Sequence, residues 1–139
     1  MGEGGFGYVY LGRHIITKEE IAIKVMEPSH IDKASKANDA YVEAQMLQNI
    51  AHKNIIKVHN IFQLPDRRIV MFMDYIKGGT LDEYVKTFGI KDSKAPNTYR
   101  IPEEDAKVVF TQIAEAIHYC HNKGIVHRDI KLQNILLKE

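Results

Sequence analysis

The spacing of apolar residues changes along the chain, and this change limits the folds that it can adopt. In about the first two thirds of the 139 residues, apolar and polar positions alternate with the two-residue period of β-strands. The last third has the three- and four-residue spacing of amphipathic helices. Because the strands come first and the helices follow, the order predicts an α+β fold.

The strand-rich part predicts an antiparallel sheet of four to five strands with one inserted helix. Residues 6–16 and 20–26 are rich in β-branched and aromatic residues and flank a short polar loop. Residues 55–64 and 68–75 flank a turn that begins at Pro65. The helix is expected between these two pairs, at about residues 38–50.

The rest of the chain predicts helices. Thr80 and Glu83 have the spacing of a capping box that starts a short helix, and residues 89–100 are expected to form a surface loop. A long helix is expected over residues 102–123, because Pro102 and three acidic residues suit its first turn. Its predicted apolar face consists of Ala106, Val109, Phe110, Ile113, Ile117 and Cys120.

Charge and composition argue against several classes of partner. Nineteen basic and eighteen acidic side chains leave a net charge of +1, so no general field favours nucleic acid or an anionic membrane. No apolar run is long enough for a membrane span. With Cys120 as the single cysteine and no leader segment, we expect an intracellular, cytoplasmic protein.

Three glycines near the start, Gly2, Gly4 and Gly7, fit the pattern G-x-G-x-x-G. In dinucleotide-binding folds a helix follows such glycines directly, whereas a strand-like run follows here. Glycines between antiparallel strands bring backbone N–H groups close to phosphates, since no Cβ intervenes. A simple hairpin tip is the alternative.

Two charged residues lie on apolar faces. The strand period places Lys24 beside Ala22, and the helix period places Glu43 within the apolar arc that includes Leu47. A lone charge there would be costly, so the two predict a Lys24–Glu43 ion pair. The alternative is a lysine whose stem lies along the apolar surface and a glutamate at the helix edge.

A polar cluster lies close to the last residue of the chain. Asp129, Lys131 and Asn134 are expected on a loop between two short strands, residues 125–127 and 134–138. A carboxylate can accept a proton from a hydroxyl, a lysine can neutralise phosphate, and an amide oxygen can bind Mg²⁺. These roles belong to phosphoryl transfer. A solvated polar turn is the alternative.

Together these motifs resemble the eukaryotic protein kinase family. Gly2 to Val9 resembles its phosphate-covering loop, Ala22 to Lys24 its third-strand lysine motif, and residues 127–134 its catalytic loop. Residues 70–81 resemble the hinge between lobes. Lys131, two positions after Asp129, is similar to the serine/threonine branch, and residues 115–131 resemble the calmodulin-dependent and AMP-activated group.

The resemblance implies a role for each matching residue. Gly2, Gly4 and Gly7 would cover the ATP phosphates, and Lys24, held by Glu43, would contact the α- and β-phosphates. Asp129 would accept the proton of the substrate hydroxyl, Lys131 would support the γ-phosphate, and Asn134 would hold one Mg²⁺. The implied adenine site consists of Val9, Ala22 and Leu136 around the ring, Met73 as gatekeeper, and the backbone of Asp74 and Ile76. Thr80 departs from the family, where an acid often contacts the ribose.

The resemblance also implies a domain organisation and an activity. Residues 1–76 would be a kinase N-lobe with a five-stranded antiparallel sheet and one helix, and residues 77–139 the first part of a helical C-lobe. The Asp-Phe-Gly segment is expected beyond Glu139, in a longer reading frame. The implied function is ATP- and Mg²⁺-dependent phosphorylation of serine or threonine hydroxyls in a protein. The alternative is a truncated, inactive module that binds nucleotide or a partner.

Overall fold

The computed structural model describes residues 2–4, 7–27, 37–91, 93, 95 and 98–138. The chain divides into two compact units, an N-terminal unit of residues 1–75 and a C-terminal unit of residues 76–139. Strands dominate the first and helices the second, which confirms the predicted α+β class.

In the residues that the structure describes, the N-terminal unit consists of a five-stranded antiparallel sheet and one helix. Its elements are β1 (Gly2–Gly4), β2 (Gly7–Arg13), β3 (Glu20–Met26), α1 (Ala37–Leu47), β4 (Val58–Gln63) and β5 (Ile69–Asp74). The strand order is β1-β2-β3-β5-β4, so β3 pairs with β5 after the chain has passed through α1 and β4.

The strand predicted to reach Ile16 ends earlier, at Arg13. Ile15 and Ile16 lie in the β2–β3 loop, where each is 84% exposed. The His14 N–H donates to the Glu19 carbonyl oxygen at 2.8 Å, and Lys18 adopts a left-handed φ of 62°. These contacts close a turn at residues 14–19. The sequence did not predict it there, because Ile15 and Ile16 are β-branched and favour a strand.

The core of the N-terminal unit lies between the sheet and α1. It consists of Ala44, Val58, Ile61, Ile69 and Met71, with Met26, Tyr41, Leu47 and Met73 packed around them. Inward positions two apart on β5, Ile69 and Met71, face the helix, as the strand period requires.

The C-terminal unit contains α2 (Leu81–Phe88), β6 (Ile90–Lys91), β7 (Tyr99–Arg100) and α3 (Glu103–Asn122). The predicted capping box is confirmed, because the Thr80 N–H donates to Glu83 Oε2 at 2.7 Å and the Glu83 N–H donates to Thr80 Oγ1 at 3.1 Å. Segment 89–100 is more than a loop, since β6 and β7 pair within it.

The long helix matches its prediction apart from one residue of its apolar face. Ala106, Val109 and Ile113 are half-buried, but Phe110 is 72% exposed. Phe110 lies at the edge of the stripe, where the helical twist turns it away from the other apolar residues. Burial raises the pKa of the Cys120 thiol, which suits packing rather than nucleophilic chemistry.

Among the described residues, no helix has the length and apolar content that crossing a bilayer would require.

Candidate active site

The polar cluster follows the end of α3, which a glycine makes possible. The N–H of Gly124 donates to the carbonyl oxygen of His121, and the N–H of Ile125 donates to that of Cys120, both at 2.9 Å. Gly124 has a φ of 72°, the left-handed conformation that this type of helix end needs. The chain thereby leaves the helix in a fixed direction.

A strained turn lies immediately before Asp129. Arg128 has a φ of 65°, which is uncommon for a residue with a side chain, and the Asp129 N–H donates to His127 Nδ1 at 3.2 Å. Strained backbone of this kind is concentrated at functional sites.

Asp129, Lys131 and Asn134 form one connected cluster. Lys131 Nζ lies 3.0 Å from Asp129 Oδ2, and Asn134 Nδ2 donates to the same oxygen at 2.9 Å and to the Asp129 carbonyl oxygen at 2.8 Å. A single 3₁₀ turn, Leu132–Asn134, brings Asn134 back toward Asp129. The two strands predicted around this loop are wrong, because extended chain here forms no ladder beyond a bridge at Leu136.

The two partners set the charge of Asp129. Two hydrogen bonds hold the pKa of Asp129 below its ordinary value: the one from Lys131 has the larger effect and the one from Asn134 the smaller. The carboxylate is therefore ionised at neutral pH and can accept a hydrogen bond from a hydroxyl group.

The same contacts fix the orientation of the Asn134 amide. Because both bonds to Asp129 come from Nδ2, the amide oxygen remains an acceptor that a hard cation such as Mg²⁺ prefers. Within the described residues, no group of three or more His, Cys, Asp or Glu side chains could hold a metal. One oxygen donor from Asn134 fits the partial protein coordination that Mg²⁺ accepts beside phosphates.

The segment after the cluster is tied to the start of α2. Leu136 forms a β-bridge with Thr80, the Leu81 N–H donates to the Ile135 carbonyl oxygen at 2.8 Å, and the Leu137 N–H donates to that of Gly79 at 2.9 Å. A Cβ at Gly78 would overlap the Leu137 carbonyl oxygen. Leu136, predicted beside the adenine ring, is therefore held by backbone bonds on both sides.

In the N-terminal unit, several predicted site residues share one face of the sheet. Val9 pairs with Lys24, and Ala22 pairs with Met73. Residues directly opposite on antiparallel strands project to the same face, as do residues two apart on one strand. The structure therefore groups Val9, Ala22, Lys24 and Met73 on the face that α1 also packs against.

The predicted glycine loop is a hairpin of β1 and β2. Gly2 pairs with Val9, and Gly4 pairs with Gly7. Gly7 has a φ of 129°, and a Cβ there would overlap the carbonyl oxygen of Val25. Only glycine fits this position. The tip, residues 5–6, lies outside the described residues.

Two other predictions are only partly covered. Glu43 lies on α1, but its side chain is outside the part of the chain that the structure describes, so the Lys24–Glu43 pair stays a prediction. Asp74 ends β5, and its N–H donates to the Lys57 carbonyl oxygen at 3.0 Å. The backbone group that Asp74 can offer a ligand is therefore its carbonyl oxygen. Ile76 is half-buried.

Sequence reasoning missed one polar residue near this end of β5. His59 Nε2 lies 2.7 Å from Asp74 Oδ1. The available signal was the three-residue spacing of the apolar residues Val58 and Ile61, which departs from strand alternation and indicates a bulge.

Comparison with known proteins identifies the family. The family model described as "Protein kinase domain" matches residues 1–139. CBL-interacting protein kinase 25 from Oryza sativa subsp. japonica is 36% identical over 139 residues, which cover 100% of this chain and 26% of that protein. A probable serine/threonine-protein kinase from Dictyostelium discoideum is 40% identical over 146 residues, covering 98% of this chain and 10% of that protein.

A third relative, maternal embryonic leucine zipper kinase from Xenopus laevis, is 35% identical over 142 residues, which cover 100% of this chain and 19% of that protein. The chain thus spans about a quarter or less of the length of these curated relatives. Its match to the family model nevertheless extends over every residue. The polar cluster, the glycine hairpin and these matches agree, and the chain belongs to the protein kinase family.

Proposed function

We propose that this chain is part of a serine/threonine protein kinase that transfers the γ-phosphoryl group of ATP to a protein hydroxyl. The observation that carries the proposal is the cluster of Asp129, Lys131 and Asn134, joined by contacts of 2.8 to 3.0 Å. Phosphoryl transfer needs little covalent chemistry from the protein, so positioning and charge neutralisation carry most of the catalysis.

Asp129 orients the attacking hydroxyl group. Its lowered pKa makes it a weak base, which suits a transition state in which bond formation to the nucleophile lags behind. The carboxylate therefore accepts the hydroxyl hydrogen bond first and the proton late. The paired N–H groups of Lys131 and Asn134 hold the carboxylate in place for this role.

Lys131 and Asn134 serve the phosphate side. Lys131 has three N–H donors, of which the contact with Asp129 uses one, so the others can neutralise the γ-phosphate. The Asn134 amide oxygen is assigned to Mg²⁺, which supplies charge neutralisation on the phosphate oxygens when it is bound.

The N-terminal unit is assigned to the nucleotide. Backbone N–H groups around Gly2, Gly4 and Gly7 cover the phosphates, and Lys24, paired with Glu43, contacts the α- and β-phosphates. The adenine ring is assigned to Val9, Ala22, Met73 and Leu136, with the backbone of Asp74 and Ile76 at its edge. Residues 1–76 and 77–139 are proposed as the kinase N-lobe and the beginning of the C-lobe.

We also propose the partners and the cellular location of this kinase. Its substrates are proteins with serine or threonine hydroxyls, and it acts in the cytoplasm without nucleic acid. The near balance of acidic and basic side chains supports the expectation on nucleic acid, because a net charge of +1 gives no broad positive field to bind a polyanion.

Transfer of labelled phosphate tests the proposal. A purified protein that contains these 139 residues together with the expected Asp-Phe-Gly segment is incubated with Mg²⁺, ATP labelled at the γ-phosphate, and myelin basic protein as a serine- and threonine-containing probe. We expect transfer that Asp129→Asn lowers by about a hundredfold or more, with ATP affinity changed by less than about threefold. Asp105→Asn, an exposed acid on α3, is the matched control and should keep full transfer.

ATP binding, measured by calorimetry on the same preparations, separates the proposal from its alternative. ATP binding without any transfer would overturn the proposed phosphoryl-transfer activity and support the alternative, an inactive nucleotide-binding module. Transfer that Asp129→Asn leaves intact would remove Asp129 from the site.

A further inference from the structure

Strand β4 contains a β-bulge at His59. Val58 pairs with Met73 and Asn60 pairs with the adjacent Phe72, so His59 has no opposite residue on β5. The extra residue lets Val58 and Ile61 both face the core although they are three positions apart. Bulges commonly redirect a side chain beside a functional site.

The backbone at the bulge has a partner outside the sheet. The Nε2 amide of Gln48, which directly follows α1, donates to the His59 carbonyl oxygen at 3.2 Å. A bulge interrupts the ladder and leaves such a carbonyl without a strand partner, so this bond offsets the loss. The position of His59 is therefore fixed from the helix side as well as from the sheet.

The imidazole of His59 holds the last residue of β5. Its Nε2 lies 2.7 Å from Asp74 Oδ1, and because a carboxylate only accepts hydrogen bonds, the histidine N–H is the donor. The Asp74 N–H donates to the carbonyl oxygen of Lys57 at 3.0 Å. Asp74 is thus tied to the β4 side of the sheet through both its backbone and its side chain.

The contact lies on the sheet face opposite the proposed nucleotide residues. Asp74 follows Met73 on β5, and alternation directs their side chains to opposite faces. The two side chains, His59 and Asp74, are 41% and 47% exposed, so this is a surface contact and not part of the core. The contact restrains the backbone of Asp74 at the end of β5, where strand ends otherwise tend to open.

We propose that His59 is a positioning residue for the adenine base. By holding the Asp74 side chain, the imidazole fixes the Asp74 carbonyl oxygen that accepts from the base edge. This inference rests on the proposed function, because it requires that the backbone at the end of β5 binds adenine. It predicts that His59 affects recognition of the base and not of the phosphates.

Calorimetry with two probes, Mg-ATP and Mg-tripolyphosphate, tests the proposal on the purified chain. His59→Phe keeps a ring but loses the donor, and we expect it to weaken ATP about three- to tenfold, as loss of one hydrogen bond to a charged group allows. Its affinity for tripolyphosphate, which lacks the base, should not change. His59→Gln retains an N–H donor and should restore ATP affinity to within about twofold of the original value.

Arg68→Gln is the matched control, because it removes another surface ion pair, that with Asp66, from the opposite end of the β4–β5 hairpin. It should leave both affinities unchanged. Equal ATP affinity in the unmodified chain and His59→Phe would overturn the inference alone. So would an equal loss for ATP and tripolyphosphate, or failure of His59→Gln to restore binding. Absence of ATP binding in the unmodified chain would instead overturn the proposed function, and this inference with it.

Discussion

Burial of apolar side chains stabilises the N-terminal unit. In the C-terminal unit, backbone hydrogen bonds hold residues 135–137, which follow the polar cluster, against the start of α2. Of the buried apolar side chains in the described part of the chain, all but Leu81 belong to residues 1–75. In residues 76–138, α3 contains no fully buried residue among those described. There the start of α2 and segment 135–137 are joined by backbone bonds instead.

This difference separates stability from chemistry. Asp129 and Lys131 are held by each other and by Asn134 while remaining solvent-accessible, so they can meet a substrate. Ile69 has no exposed surface, so it contributes to packing and cannot contact a substrate. We therefore expect substitutions in the cluster to change activity first, and substitutions in the sheet to change stability first.

The largest expected effect is on phosphoryl transfer. Asn134→Ala removes the two hydrogen bonds that Asn134 Nδ2 donates to Asp129 and also removes the proposed Mg²⁺ oxygen, so we expect transfer to fall about a hundred- to a thousandfold. The urea midpoint should stay close to that of the original chain, since Asn134 is exposed. A large drop in the midpoint would contradict the contrast between the two units.

The next effect concerns stability of the sheet. Ile69→Ala leaves a cavity in the core and should lower the free energy of unfolding by about 2–5 kcal/mol. Amide exchange in β3 and β5, followed by mass spectrometry, should quicken accordingly. Ile15→Ala, at an exposed loop position, is the control and should change stability by less than about 0.5 kcal/mol. Equal changes in the free energy of unfolding for the two substitutions would mean that burial does not determine the stability of the N-terminal unit.

The same contrast explains which features the sequence could predict. Two-residue periodicity predicted the strands of the N-terminal unit because burial imposes that period on residues such as Ile69 and Met71. It missed the turn at Ile15 and Ile16, where backbone hydrogen bonds override β-propensity. It also missed the bulge at His59, because the bulge breaks the two-residue period and leaves Val58 and Ile61 three positions apart on the core side.

In the C-terminal unit, the sequence predicted correctly those features that depend on hydrogen bonds between residues close together in the chain. The spacing of Thr80 and Glu83 predicted a cap that both residues complete between themselves. The chemistry-bearing residues Asp129 and Asn134 could be chosen by type, but their connection through a 3₁₀ turn could not, because residues 132–134 contain no Gly or Pro that would signal a turn.

A smaller effect should follow from loss of the cap. Thr80→Ala removes the hydroxyl that accepts from the Glu83 N–H, and we expect a loss of about 1 kcal/mol in local stability of α2. Amide exchange within residues 81–88 measures it. Thr111→Ala is the control, since the Thr111 hydroxyl donates to the Lys107 carbonyl oxygen inside α3 and its removal should be neutral or slightly stabilising. A loss of similar size from Thr111→Ala would remove the special role of the cap.

The smallest effect is a pH dependence that differs between the units. Hydrogen bonds from the Thr80 N–H and hydroxyl hold the pKa of Glu83 below its ordinary value of 4.5. A lowered folded-state pKa stabilises α2 above the unfolded-state pKa, and this contribution is lost as the pH falls through the folded-state value. The difference in α2 exchange between the original chain and Glu83→Gln should therefore be full at neutral pH and shrink below pH 4.5.

The N-terminal unit offers a matched carboxylate for that experiment. A side-chain hydrogen bond from Arg68 holds the pKa of Asp66 below its ordinary value, in the β4–β5 turn. Asp66→Asn should therefore show the same direction of pH dependence, but in the exchange of β4 and β5 and not of α2. Because both carboxylates are exposed, salt should weaken both effects. A Glu83→Gln difference that persists unchanged in acid would mean that the contribution of Glu83 to α2 does not depend on the charge of its carboxylate.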